Sequence, residues 1–373
     1  MEEKITETIV TDNSVEEETS ANKTTVDEVK AEQTPSEEAP AQEEQTAADP
    51  ITALCENFIE NRDTIKKVFR GESVLIYPVA SNAITTYGLK AEEDKLRECK
   101  KIIRKNAGTL SYLKGIVATP FAATLSLKED PKAHFDKVAK IYAITKKQFS
   151  RSEYSALLAI MLADIVDESK VESVVARGKE IYSLMKEQHP FLTNDSDSVF
   201  AGLLALSEKN NRVLIDDMEK CYDLLKIKFS NKSSIHSVSH ILALTEGPAR
   251  QKVEHLIDLY DALKASGRKF GTYTELAILA AASILDDDVE KLRDTILQID
   301  QNLSKQKGYG FFGLDKKTRL MHSAMLATDL YDSAQNAQAV STASAIAMAA
   351  AQQVAICVII ASTAANVSYY SGD

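Results

Sequence analysis

The chain has 373 residues, 44% of them hydrophobic and 27% charged, enough to bury a sizeable core in one long domain or two short ones. Its net charge of −11 is gathered at one end: residues 1–50 hold 15 acids against three bases, which leaves 40 acids against 41 bases in the rest. Without a basic excess to neutralise phosphates or attract anionic lipid, that remainder lacks the electrostatic footprint of a nucleic-acid or membrane-surface binder.

Residues 1–50 are rich in Glu, Thr, Ser, Ala and Gln and nearly devoid of large apolar side chains. Such a segment cannot offset the entropy of ordering its backbone, so a disordered acidic tail is predicted, acting as a solubilising bristle or a partner-binding arm. The opening residues show neither a basic region nor an apolar core, which predicts no secretory signal. Cys55, Cys99, Cys221 and Cys357 are far apart, without a C-x-x-C pair, and read as small buried hydrophobes. Thiols and the missing signal together lead to an expected cytoplasmic location.

Residues 51–332 read as a helical-hairpin repeat domain. Apolar residues recur at helical spacing, and no alternating stretch is long enough to suggest a strand. Apolar helices, here termed inner, are predicted around Ser155–Asp164, Ser198–Glu208, Ser237–Glu246 and Thr274–Asp286. Amphipathic outer helices are predicted around His134–Phe149, Val171–Glu187, Leu214–Phe229, Val253–Ala265 and Val289–Leu303. A tyrosine recurs in the outer helices at Tyr142, Tyr182, Tyr222 and Tyr260, and Ile296 takes the same position in the fifth. A period near forty residues is one helical hairpin, so the fold class is all-α: tandem helix-hairpin repeats in an α-solenoid-like stack, with inner helices buried between layers. The tyrosines are expected to pack between neighbouring hairpins with their hydroxyls at the rim. Polar clusters at Asn194, Asp195 and Asp197, and at Ser233 and Ser234, read as helix caps; Asp195 and Asp197 lack the glycine and glutamate that a calcium loop would need.

In the segments Phe191-Leu192-Thr193 and Ser239-His240-Ile241-Leu242, and in the order of hairpins around them, the chain from about Ile51 to its C-terminus resembles a bacterial family known as domain of unknown function 4003. The resemblance implies an all-helical fold and brings no catalytic residues with it.

Several segments carry candidate chemistry. His236 and His240, at i and i+4 on one helix face, have the spacing of paired zinc ligands, and Glu246 or Asp286 at the ends of inner helices offers a third. The glutamate of H-E-x-x-H is missing, so the pair reads either as a metal site or as two structural histidines. Gly308, Gly310 and Gly313 spell G-x-G-x-x-G, but a helix and not a strand is predicted before them, so they are read as a helix end that lets Tyr309, Phe311 and Phe312 fold back, with Asp315 capping the next helix. Asp286, Asp287 and Asp288 read as the start of a helix. No serine or cysteine nucleophile set is recognised, and no cofactor is expected.

No charged residue lies between Asp332 and Asp373. Residues 338–367 are predicted as an alanine-rich apolar helix, and residues 343–365 are apolar enough to be weighed as a membrane span. Ala343, Ala347, Ala351 and Ala355 form a smooth seam, so the same helix reads as an end cap or a self-association surface. The sequence thus supports a scaffold or protein-interaction module acting on an unidentified protein partner, with two alternatives: a metal-dependent or small-molecule enzyme centred on His236 and His240, or a membrane-associated protein anchored by its C-terminal segment.

Overall fold

The computed structural model describes residues 49–335 other than 110, 285–287 and 311–312. The acidic tail (apart from Asp49 and Pro50), Asp286, Asp287, Phe311, Phe312, Cys357 and the alanine-rich C-terminal segment therefore lie outside the described residues. Fourteen α-helices are found among them, and no strand beyond an isolated bridge between Tyr309 and Leu314.

The helices alternate between outer and inner. The outer set comprises α1 (Pro50–Val68), α3 (Glu93–Asn106), α5 (Pro131–Gln148), α7 (Val171–Gln188), α9 (Asn211–Leu225), α11 (Ala249–Ala265) and α13 (Val289–Ser304). The inner set comprises α2 (Ile76–Thr85), α4 (Ala118–Leu125), α6 (Glu153–Ile165), α8 (Asp197–Leu204), α10 (Lys232–Ala243), α12 (Thr274–Ser283) and α14 (Lys316–Gln335). Inner helices are apolar on every side and almost wholly buried, as in α6, where Ser155 to Ala163 are all buried. Outer helices bury one stripe only, as in α13, where Leu292, Ile296, Ile299, Asp300 and Leu303 face inward.

Polar side chains mark where these helices begin. Asp49 accepts from the amide of Thr52 ahead of Pro50, Asp130 from Ala133 ahead of Pro131, and Asp288 from Lys291. For α10 the cap is Asn231, whose Oδ1 accepts from the amide of Ser234, so the predicted role of Ser233 and Ser234 falls to a residue two positions before Ser233. Inner-helix C-termini are closed by cations from outer helices. Lys137 donates to the carbonyls of Ala163 and Val166, and Arg177, forty residues on, to those of Ala205, Ser207 and Lys209. Forty further on stands Asp217, which cannot donate; it holds Lys252 at 2.6 Å, and Lys209 and Lys252 take over the carbonyl of Thr245.

The recurrent tyrosines pack between hairpins. Phe149 meets Tyr182 edge-on at 5.8 Å, and Phe229 meets Tyr260 at 5.2 Å. Lys146, Lys179 and Lys226 cover the rings of Tyr142, Tyr182 and Tyr222. Tyr142 departs from the expected pattern, since its hydroxyl is buried and not at the rim.

Neighbouring hairpins pack in chain order, outer helix on outer and inner on inner, the step from α4 to α6 being bridged by a 3₁₀ turn at Tyr112–Lys114. The last hairpin then returns to the first. Helix α13 packs on α1, and α14 on α1 as well. Arg62 donates to the carbonyl of Lys307 at 2.9 Å, Thr86 to the carboxylate of Asp329 at 2.8 Å, and Phe58 meets the ring of His322 at 6.3 Å. The row of hairpins among the described residues is therefore closed on itself, where a solenoid would leave two open ends. From Arg319 to Asp329, α14 is buried as the other inner helices are.

Candidate metal centre

Asp197 begins α8, and His236 and His240 lie one turn apart on α10, which packs beside it. Asp197 precedes Ser198, and His236 precedes Ser237, in the two similar inner-helix segments. The stacking of consecutive hairpins thus places these equivalent positions next to each other, and the i+4 spacing adds His240 from the same face. One ligand atom from each of Asp197, His236 and His240 lies within 4.8 Å of the others. All three side chains are buried, at 1%, 2% and 1% exposure.

Asp197 Oδ2 accepts from the amide of Asn194 at 2.8 Å, which fixes the carboxylate. Its other oxygen, Oδ1, lies 3.6 Å from His236 Nδ1 and 3.4 Å from His240 Nδ1. These separations are long for hydrogen bonds. Around an ion with bonds of about 2.1 Å, ligand atoms sit about 3.4 Å apart in a tetrahedron and about 3.0 Å apart at cis positions of an octahedron. The two Asp–His separations lie nearer the tetrahedral value than the octahedral one, and the third separation is within 4.8 Å.

The electrostatics agree with a place for a cation. Burial pushes the Asp197 carboxyl up to about 7. Burial, aided by the neighbouring His189, lowers His236 to about 4, and burial with His236 and His189 holds His240 well below the usual histidine range. The contacts are therefore not ion pairs: the imidazoles are neutral at neutral pH, and burial leaves the Asp197 carboxyl protonated in about half of the molecules there. His236 Nε2 and His240 Nδ1 are both buried without a hydrogen-bond partner. Orphaned buried nitrogens of this kind carry a cost unless something binds them.

Asp197 and His236 open onto a cavity of about 150 Å³ between the first turns of α8, α10 and α12, also bordered by Phe200, Ser237 and Tyr273. Next to it, His189 stacks edge-on to His236 at 5.0 Å, with its Nε2 held by Glu219 at 3.1 Å.

Of the residues singled out in the sequence, His236 and His240 come together and Asp197 joins them. From the sequence, Asp197 reads as a helix cap, the calcium loop it could otherwise begin lacking its glycine and glutamate. Glu246 does not take part: it lies beyond the far end of α10, its side chain is exposed, and its near partner is Lys209. His240 lies in the last turn of α10, so it is not distance along the helix but the outward turn of the Glu246 side chain, towards Lys209 and water, that keeps this acid from the histidines. Asp195 is exposed and separate from the buried Asp197. The three glycines make a turn between α13 and α14, with Gly308 and Gly310 at positive φ. A Cβ on Gly313 would fall 2.2 Å from the carbonyl oxygen of Gly308, so the spacing serves backbone proximity and not a pyrophosphate. Tyr309 folds back into the core, where its hydroxyl meets His322 Nδ1 at 2.8 Å, and Asp315 caps α14 by accepting from Thr318.

Among the described residues no helix is long and apolar enough to cross a membrane. No curated protein and no solved structure matches the chain. The model of one family, described as Protein of unknown function (DUF4003), matches residues 61–365, and the chain belongs to that family.

Proposed function

We propose that the protein is a divalent-metal protein, with zinc as the preferred ion, bound by Asp197, His236 and His240. The observation that carries this reading is the placement of Asp197 Oδ1 at 3.6 and 3.4 Å from two buried, neutral imidazole nitrogens, the spacing of ligands around a tetrahedral ion. Three protein ligands beside a cavity leave a fourth position open, which is the arrangement of catalytic and not of structural zinc. An ion so held lowers the pKa of a bound water to about 7 and polarises an oxygen of a bound substrate. The reaction class that follows is hydrolysis or hydration of a small polar molecule.

The test is elemental analysis of the full chain, isolated without a histidine tag, beside the variants Asp197→Ala and His240→Ala. One transition-metal ion per chain in the parent and a loss of it in both variants is expected. A folded parent that takes up no zinc or other transition metal after incubation and desalting contradicts the reading.

A protein-interaction role is a second reading, favoured by Phe191 and Ile227, which stand 99% and 84% exposed on the loops entering α8 and α10. Replacing both by serine is expected to abolish partner binding while metal content stays unchanged; binding unaffected by the change contradicts it.

A further inference from the structure

Consecutive outer helices stack with like ends side by side: Phe149, just after α5, meets Tyr182 late in α7, and Phe229, after α9, meets Tyr260 late in α11. Every loop from an outer to an inner helix therefore lies on one edge of the ring, and every loop from an inner to the next outer helix on the other. Among the described residues, the loops of the first edge hold nine exposed cations against three acids, and those of the second hold eight acids against four cations. The near-balance of charge outside the tail thus conceals two edges of opposite sign. Lysine or arginine in the last turns of α1, α3, α5, α7 and α11 extends the basic edge, while three of its loop cations, Lys226, Lys228 and Arg268, are held by Asp223, Asp261 and Asp300. An outer helix of 18 residues such as α7 sets the edges about 27 Å apart, roughly three Debye lengths at physiological salt, so the acidic edge does not cancel the basic one.

The basic edge also carries bare apolar side chains. Five of its seven loops each expose one, Val74, Tyr112, Phe191, Ile227 or Tyr273, and Phe191 and Ile227 are the most exposed large hydrophobic residues described. Ile227 stands between Lys226 and Lys228. One apolar tip per loop, set among cations, differs from the contiguous apolar patch that marks a protein interface. Six of the nine cations are lysines, which are depleted from protein interfaces but suit a charged headgroup layer. We propose that this edge docks on an anionic lipid bilayer, the apolar tips entering the headgroup layer and the lysines and arginines facing its negative charge. The bilayer takes the place of the protein partner considered above for Phe191 and Ile227, and the metal ion plays no part in the docking.

The test is cosedimentation of the full chain with phosphatidylcholine vesicles, either pure or with about one third phosphatidylglycerol. Binding to the anionic vesicles about tenfold tighter than to the neutral ones, or more, is expected. Phe191→Ser with Ile227→Ser weakens it about tenfold, and so does Arg70→Glu with Lys269→Glu, by about the same factor. The same reversal of charge on the acidic edge, Lys90→Glu with Lys170→Glu, leaves it unaltered. All six of these side chains are exposed, so each variant is expected to keep the parent's urea midpoint. Equal binding to both kinds of vesicle, indifferent to the substitutions, would assign any membrane attachment to residues 343–365 and overturn the proposal. Equal weakening by charge reversal on either edge overturns it too. No binding to anionic vesicles overturns it and leaves the protein-interaction and metal readings standing.

Discussion

The imidazole of His189 lies 4.5 Å from the ring of Tyr222, in the place that Phe149 takes against Tyr182 and Phe229 takes against Tyr260. Phe149, His189 and Phe229 follow one another at intervals of forty residues, so the histidine replaces a phenylalanine of the repeat at the one hairpin that borders His236. If packing alone set this position, phenylalanine would serve there as well. His189→Phe is therefore expected to change stability by less than about 1 kcal/mol in urea unfolding, since Glu219 is partly exposed and can turn to water. A loss of about 3 kcal/mol or more would show that the histidine is needed for the fold itself.

The last hairpin holds a charged network between α13 and α14. Asp300 is fully buried and accepts from Arg319 at 2.7 and 3.2 Å and from Arg268 at 2.9 Å. Removing the carboxylate strands the buried Arg319 guanidinium. Asp300→Ala is expected to cost about 3–5 kcal/mol, read as a lower urea midpoint, with Asp300→Asn falling between it and the parent. A variant as stable as the parent would show that the network contributes nothing net.

His322 offers a pH-dependent counterpart. Burial, with the Arg62 guanidinium nearby, lowers its imidazole to about 3 from the ordinary 6.5. A histidine depressed in the fold gives stability that is complete above pH 6.5 and is lost as pH falls toward 3, because only the unfolded chain takes the proton readily. His322→Gln abolishes that loss. The stability gap between parent and variant, measured in urea at pH 7.5 and again at pH 4.5, is expected to shift by on the order of 2 kcal/mol in favour of the variant at the lower pH. A gap that does not change with pH would mean that His322 titrates alike in both states.

Burial also governs the thiols. It pushes Cys55 and Cys221 up to about 12 and Cys99 to about 11, so almost none of the three is thiolate at pH 8. In Cys357→Ser protein no thiol is expected to react with an aromatic disulfide reagent at pH 8 until denaturant is added, when three react. Rapid labelling of the native protein would show that these helices open on the time scale of the assay.

Much of this fold was legible because its signals are local. The apolar inner helices and the striped outer helices each lie within single hairpins, and the forty-residue spacing of Tyr142, Tyr182 and Tyr222 links one hairpin to the next. Closure was not legible, because it depends on pairs such as Arg62 with Lys307 and Thr86 with Asp329, more than two hundred residues apart, for which no short pattern exists. At the candidate centre, the i+4 spacing marks His236 and His240, yet the acids the sequence offers beside them, Glu246 and Asp286, end their own and the following inner helix. The signal for Asp197 was its register: it precedes Ser198 as His236 precedes Ser237, and stacked repeats bring like positions together. His189 carried a similar mark, as the histidine in a series of phenylalanines.

The central claim, that Asp197, His236 and His240 hold one metal ion, is tested most directly by anomalous X-ray scattering at the zinc edge from crystals of the full chain grown with stoichiometric zinc. A single strong peak is expected at about 2.1 Å from a carboxylate oxygen of Asp197 and from one ring nitrogen of each histidine. An ordered triad with no peak among its three side chains, at a resolution that places them clearly, would contradict the claim.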